Sequence, residues 1–171
     1  MRGMEFIFGH TDNFEQTAEK VRYLVIDSIK RQITPDNSGK QICTLLSGGL
    51  DSSLITSVSA KYFKERGQKL HAFSVDYKDN AKYFSASKFQ PNSDGEYIEH
   101  MKNYLNGEYF EHHQIILDTR ELANALYEAV DARDFPGMAD VDASLLLFCT
   151  EIKKYADVAL SGESADEYAH T

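Results

Sequence analysis

The segment Ser47-Gly48-Gly49-Leu50-Asp51-Ser52-Ser53 lies between a short apolar run, residues 42–46, and a helical stripe that begins at Leu50. The chemistry expected at such a junction is anion binding. Glycines let a backbone come close to a ligand, and the unpaired N–H groups of a first helical turn, aligned with the helix dipole, favour a phosphate. Ser47, Ser52 and Ser53 add hydroxyl donors. The chain contains neither GxxxxGKS/T nor GxGxxG, so no loop lysine is present to meet the phosphate charge. Taken alone, Ser-Gly-Gly is equally a tight turn with a serine-rich helix cap.

A second segment, Leu160-Ser161-Gly162-Glu163-Ser164-Ala165-Asp166-Glu167, repeats that layout of strand, Ser-Gly and carboxylates. In a parallel sheet both loops would emerge at the C-terminal edge, where ligands bind at a topological switch point. Asp51 and Asp166 would there share one Mg2+, whose oxygen ligands would include phosphate oxygens. The plainer alternative for Glu163 and Glu167 is a solvated acidic turn.

These loops need elements to hold them. Phe14, Ala18, Val21, Val25 and Ile29 recur at spacings of four and three, which predicts an amphipathic helix over residues 13–33 with Asn13 and Gln16 as a capping box. Residues 34–40, with Pro35, Asn37 and Gly39, break the pattern. Residues 42–46 read as a buried parallel strand, and Leu54, Ile55, Val58 and Tyr62 as the stripe of a helix that runs to Gly67. A second strand is expected at 70–75, then a polar stretch, 76–92, without clear period. Ser93 and Glu96 make a capping box for a helix reaching Gly107, with Tyr97, Met101 and Leu105 read as core. A strand at 112–117, a helix over 119–133, a loop over 134–140, a strongly apolar helix over 141–155 and a last strand at 158–160 follow. The run 145–148 in that last helix is expected to be buried. Alternating strands and helices favour an α/β fold, a parallel sheet with helices on both faces.

Ser47-Gly48-Gly49-Leu50-Asp51-Ser52 looks like the SGGxDS pyrophosphate-loop motif of N-type ATP pyrophosphatases. Together with Ser161-Gly162-Glu163 and Ala165-Asp166-Glu167, it resembles the synthetase domain of glutamine-dependent asparagine synthases over residues 13–167. The resemblance implies a three-layer α/β/α fold of the adenine nucleotide alpha hydrolase type. It also implies that ATP and aspartate give β-aspartyl-AMP and pyrophosphate, after which ammonia displaces AMP to form asparagine. Carried over by position, Ser47, Gly48, Gly49, Asp51 and Ser52 would wrap the pyrophosphate portion of ATP, and Asp51 and Asp166 would hold Mg2+. Ser74 and Val75 would meet the adenine, mainly through the Val75 backbone, with Leu46 flanking it. Ser161 and Gly162 would line the nucleotide pocket, and Glu163 would stand near the activated substrate. Catalytic roles thus fall on Asp51, Glu163 and Asp166.

Two departures from the family are visible. Ser164 stands where the family usually has Gly, and the sequence ends at Thr171, where the family continues into helices that supply a catalytic lysine. The glutaminase half begins with a nucleophilic cysteine in the family, whereas Arg2 follows Met1 here. The chain therefore resembles a single, partial synthetase domain of a larger enzyme, inactive alone, whose ammonia-donor domain and C-terminal helices lie elsewhere. Another pyrophosphate-loop amidoligase, such as a β-lactam synthetase, and a nucleotide-binding module without catalysis of its own stand as alternatives.

Composition sets outer bounds. At 171 residues there is room for one full domain and no second catalytic one. The balance of 18 Lys+Arg against 27 Asp+Glu, a net charge of -9, argues against sequence-independent capture of nucleic acid. Cys43 and Cys149, far apart and in apolar company, read as buried free thiols. Adjacent His112 and His113 would face opposite sides of a strand and could not jointly chelate one metal. No signal peptide or membrane-length apolar run is evident, which points to the cytoplasm. A Gly48→Val change is expected to crowd the phosphate while leaving the fold largely intact.

Overall fold

The computed structural model describes residues 11–33, 39–83 and 94–163. The chain divides into two compact units, Met1–Thr34 and Pro35–Thr171. In the first lies helix α1, Phe14–Ile33, opened by the expected capping box. The Gln16 amide donates to Asn13 Oδ1 at 2.9 Å and the Asn13 amide to Gln16 Oε1 at 3.0 Å. The apolar stripe is helical as expected, yet Phe14 and Val21 are exposed. Only the C-terminal end of the helix, at Ile29 and Ile33, is buried, so periodicity marks which face can be covered, not how much of it is.

The second unit runs β1 (Ile42–Leu45), α2 (Leu50–Lys64), β2 (Leu70–Tyr77), α3 (Asn80–Tyr83), α4 (Asp94–Tyr104), β3 (Phe110–Leu117), α5 (Thr119–Arg133), α6 (Ala139–Ile152) and β4 (Val158–Leu160). Its four strands form one parallel sheet in the order β3-β2-β1-β4. Strand β2 extends past its expected end at Val75, and β3 starts ahead of its expected start at His112. An unbroken ladder from Leu70↔Phe110 to Tyr77↔Leu117 pairs all these residues and gives partners to the backbone groups that the two strands turn toward each other.

Alternation along the strands divides the core. Cys43 and Phe73 face Phe148, Ile152 and Ala156, so α6 and the turn after it cover one side. Leu46 and Ala72 face Ile98 of α4 on the other, where Thr56 of α2 also donates to Thr44 Oγ1 at 3.1 Å. Helices therefore cover both faces, as the sequence predicts. Helix α5 packs along α6 through Ala125, Ala129 and Ala143, small residues that admit a close approach. His112 and His113 do take opposite faces: His113 stacks on Phe73, whereas His112 Nε2 lies 2.9 Å from Ser74 Oγ.

Several expectations about burial need correction. Helix α2 buries Ser52, Thr56, Ser59, Ala60 and Tyr62, whereas Leu54 of the expected stripe is exposed. Small hydroxyl-bearing side chains let the helix lie close to β1, and Ser59 Oγ is buried there without a partner among the described residues. Tyr97 and Leu145 are exposed rather than core, because the buried side of each helix passes through the adjacent residue, Ile98 or Ser144; of the run 145–148, Phe148 is buried as expected. Cys43 is buried, but Cys149 is exposed. The Ser93 half of the expected capping box before α4 lies outside the described residues. Among the described residues no helix is long and apolar enough to cross a membrane.

Candidate functional site

The strand order places the site. From β1 the chain moves through β2 to β3 on one side, then returns across the sheet to β4 on the other side of β1. The loops leaving β1 and β4 therefore diverge between neighbouring strands, which opens a crevice at their C-terminal ends. Both Ser-Gly segments lie there. They border an open cleft of about 440 Å3 lined by Leu46, Ser47, Gly49, Asp51, Ser52, Ser74, Val75, Ser161, Gly162 and Glu163.

The turn after β1 is held from within. Leu46 keeps the strand ladder going by donating to Phe73 O at 2.8 Å. The Ser52 hydroxyl then lies 3.0 Å from Ser47 Oγ, accepts from the Ser47 amide at 3.2 Å and donates to Gly49 O at 3.1 Å. One side chain thus fixes both ends of the Gly-Gly turn. Gly49 caps α2 with extended backbone, φ -70° and ψ 164°, and makes no side-chain cap hydrogen bond. The first-turn amides of α2 consequently meet the cleft without an internal acceptor from the cap, the arrangement a phosphate uses.

The two loops touch. A Cβ at Gly162 would lie 2.9 Å from the Ser52 amide nitrogen and 3.0 Å from the Asp51 carbonyl carbon and Cβ, so only a residue without a side chain lets the β4 loop lie against the first turn of α2. That contact sets Ser161, Gly162 and Glu163 opposite Asp51, with the Glu163 amide donating to Ser161 Oγ at 3.1 Å. Gly48 has a different task. Its φ is +82°, and a Cβ would lie 2.8 Å from Asp94 O and 3.1 Å from Tyr97 Cβ, beneath α4. A valine there would strain the turn and push on α4, so Gly48→Val cannot be the clean probe of phosphate crowding that the sequence led one to expect.

Farther into the cleft, Ser74 is buried and paired with His112, while Val75 packs with the α6-side core. Burial pushes the His112 imidazole down to about 4, with Lys102 adding to the effect, so at neutral pH it meets Ser74 uncharged. Phe73, Tyr77, Asp94, Ile98 and Phe148 also line the cleft, and none of them stands in a motif that marks it as a site residue. Tyr77 was hidden by the underestimated length of β2; its hydroxyl lies 2.8 Å from Ser144 Oγ of α6. The charged side chains on the described lining are Asp51, Asp94 and Glu163. Amide donors set among carboxylates suit a phosphate that arrives with a divalent cation, and the carboxylate oxygens are the hard ligands that Mg2+ takes. Asp166, the other expected ligand, and Ser164 lie outside the described residues.

A family model for asparagine synthase matches residues 20–170. The chain is 50% identical over 159 residues to asparagine synthetase (glutamine-hydrolyzing) 3 of Bacillus subtilis (strain 168), an alignment covering 92% of this chain and 25% of that protein. It is 29% identical over 159 residues to asparagine synthetase (glutamine-hydrolyzing) of Mesocricetus auratus, covering 90% of this chain and 25% of the relative. The chain thus spans about a quarter of the length of the curated relatives it matches. An NMN synthetase from Francisella tularensis aligns in structure with a TM-score of 0.44 and 17% identity, over 86% of this chain and 53% of that one.

Proposed function

The chain belongs to the asparagine synthase family, and from that premise we propose that its second unit is the ATP-binding part of a synthetase that activates aspartate by adenylation. The observation that carries this reading is the contact of the two Ser-Gly loops, Gly162 against Ser52 and Asp51, around a cleft at the switch point of the sheet. In this reading Ser47, Gly48, Gly49, Ser52 and the first-turn amides of α2 hold the β- and γ-phosphates. Val75 meets the adenine through its backbone, beside Leu46 and Ser74, while Ser161 and Gly162 wall the α-phosphate side.

Asp51 and Asp166 would hold Mg2+, which supplies positive charge to the departing pyrophosphate. The aspartate β-carboxylate would attack the α-phosphorus, forming a bond to it as the bond to the β-phosphate oxygen breaks, and β-aspartyl-AMP and pyrophosphate would result. Ammonia would then add to the acyl carbon, AMP would leave with the bonding pair, and a proton released from nitrogen would complete asparagine. Glu163, which lines the cleft, would stand near the activated substrate and orient the acceptor. The loops contribute chiefly by alignment and by fixed N–H donors aimed at the phosphates. An ammonia-donor domain and segments closing the cleft belong to the rest of such an enzyme.

The test is pyrophosphate release from ATP and Mg2+ with a panel of amino acids, measured on a full-length protein that carries this chain. Release that depends on aspartate supports the proposal. Release that depends on a different acid, or none with any, overturns it.

A further inference from the structure

At the opposite end of β2 and β3 lies a second cluster of donor atoms. His71 and Glu111 are register partners on these neighbouring parallel strands, and His113 is two residues beyond Glu111, so all three side chains share one face. His71 Nδ1 lies 2.9 Å from His113 Nε2, and the Glu111 carboxylate oxygens lie 4.0 Å from the first nitrogen and 3.8 Å from the second. One ligand atom from each falls within 4.8 Å of the other two. We propose that His71, Glu111 and His113 form a binding site for a zinc-class divalent cation that ties β2 to β3.

Three features favour this over a chance grouping. Bonds of about 2.0–2.2 Å at tetrahedral angles place donors roughly 3.3–3.5 Å apart, so the imidazoles need to part by a few tenths of an ångström and the carboxylate to close by about the same amount. Both rings are already held by packing. His113 stacks on Phe73 with centroids 4.7 Å apart and on His71 at 5.2 Å, and Tyr155 lies 4.7 Å from His113 and 6.1 Å from His71. Glu111 is half exposed and is held by Lys69 at 3.0 Å, so it can swing inward at the expense of a weak surface ion pair. Two imidazole nitrogens and one carboxylate oxygen, with water as a fourth ligand, suit zinc and its neighbours in the first transition row rather than Mg2+ or Ca2+. The cluster shares no ligand with the cleft but adjoins it through Phe73, the cleft-lining ring on which His113 stacks, while His71 lies four residue steps, about 13 Å, from Val75.

The test uses the untagged chain, stripped with chelator and titrated with Co2+ and Zn2+. One equivalent of Co2+ should develop the visible ligand-field bands of a four- or five-coordinate centre, Zn2+ should displace it, and Zn2+ should raise the thermal midpoint. His71→Gln and Glu111→Gln, both at half-exposed positions, should each weaken Zn2+ binding at least about tenfold with the circular dichroism spectrum unchanged. Lys69→Met should tighten binding by releasing Glu111, whereas His100→Gln should leave it unchanged. Absence of stoichiometric binding, or affinity in the His71→Gln and Glu111→Gln proteins equal to that of the unsubstituted chain, would show that the two histidines are only a hydrogen-bonded pair.

Discussion

Gly162 and Asp51 do opposite things for the same cleft, one by lacking a side chain and the other by supplying one. In Gly162→Ala the new methyl would meet the Ser52 amide nitrogen and the Asp51 backbone, atoms that cannot swing aside as a flexible side chain would. The variant should lose about 1–3 kcal/mol of stability, the usual cost of overpacking, and its ATP affinity should fall, both readable by urea unfolding and calorimetry. Gly49→Ala is the control: its methyl would meet only Ser47 Oγ, at an ordinary 3.4 Å, so stability should hold. Asp51→Asn keeps the shape and removes the charge, and ATP binding should then lose most of its Mg2+ dependence. Unchanged Mg2+ dependence would remove Asp51 from the metal's ligands. The two thiols should also part company. Burial, with Cys149 nearby, pushes Cys43 up to about 12, so iodoacetamide should label exposed Cys149 in the folded protein and Cys43 only after unfolding.

Between elements, the His112–Ser74 contact joins β3 to β2 immediately behind the cleft. The imidazole faces Lys102 and Glu99 from α4 and has His113 beside it, and burial outweighs the favourable Glu99 charge in lowering its affinity for a proton. In the unfolded chain the same group titrates near its ordinary 6.5, whereas in the folded protein it resists protonation until about 4. Over that interval the unfolded state binds more protons, so this group's contribution to stability is intact above 6.5 and is lost as pH falls toward 4. Replacing His112 with Gln should flatten that part of the acid limb of urea midpoints, and an unchanged slope would count against the buried neutral imidazole.

Elements with strong local signals were legible: the Asn13 capping box, the strand–turn–helix at Ser47 and the last strand. What could not be read was which face each helix buries. In α2 the buried side is written in Ser52, Thr56 and Ser59, residues that a hydrophobic stripe ignores, because closeness to β1 matters more there than apolar area. The Asp118–Glu121 capping box of α5, with Asp118 accepting from the Arg120 and Glu121 amides at 2.9 and 3.0 Å, is by contrast written in the spacing of its two acidic residues. The His71–Glu111–His113 cluster carried none, since it exists only through the register of two strands.

At the scale of the whole molecule, the two loop contacts make a cleft but not an enclosure. Its described wall consists of strand ends, the first turns of α2 and α4, and Phe148 and Tyr77 toward α6, and its charged side chains are all acidic. The curated relatives devote about three quarters of their length to other segments, and under the proposed reaction such segments would supply the ammonia source, the cover over the acyl-adenylate and a cationic contact to the phosphates. Removing one preorganised contact to developing charge typically lowers a rate by about 10² to 10³, and an uncovered acyl-adenylate is open to hydrolysis. The 171-residue chain expressed alone should therefore bind MgATP yet form no asparagine at an ordinary enzymatic rate from aspartate and either ammonia or glutamine. Slow release of AMP and pyrophosphate with aspartate recovered unchanged would mark adenylation followed by loss of the intermediate to water. Chromatography of incubations with ATP, Mg2+, aspartate and ammonia separates these cases, and sustained asparagine formation would show that these strand ends and loops, without further cover, hold everything the reaction needs.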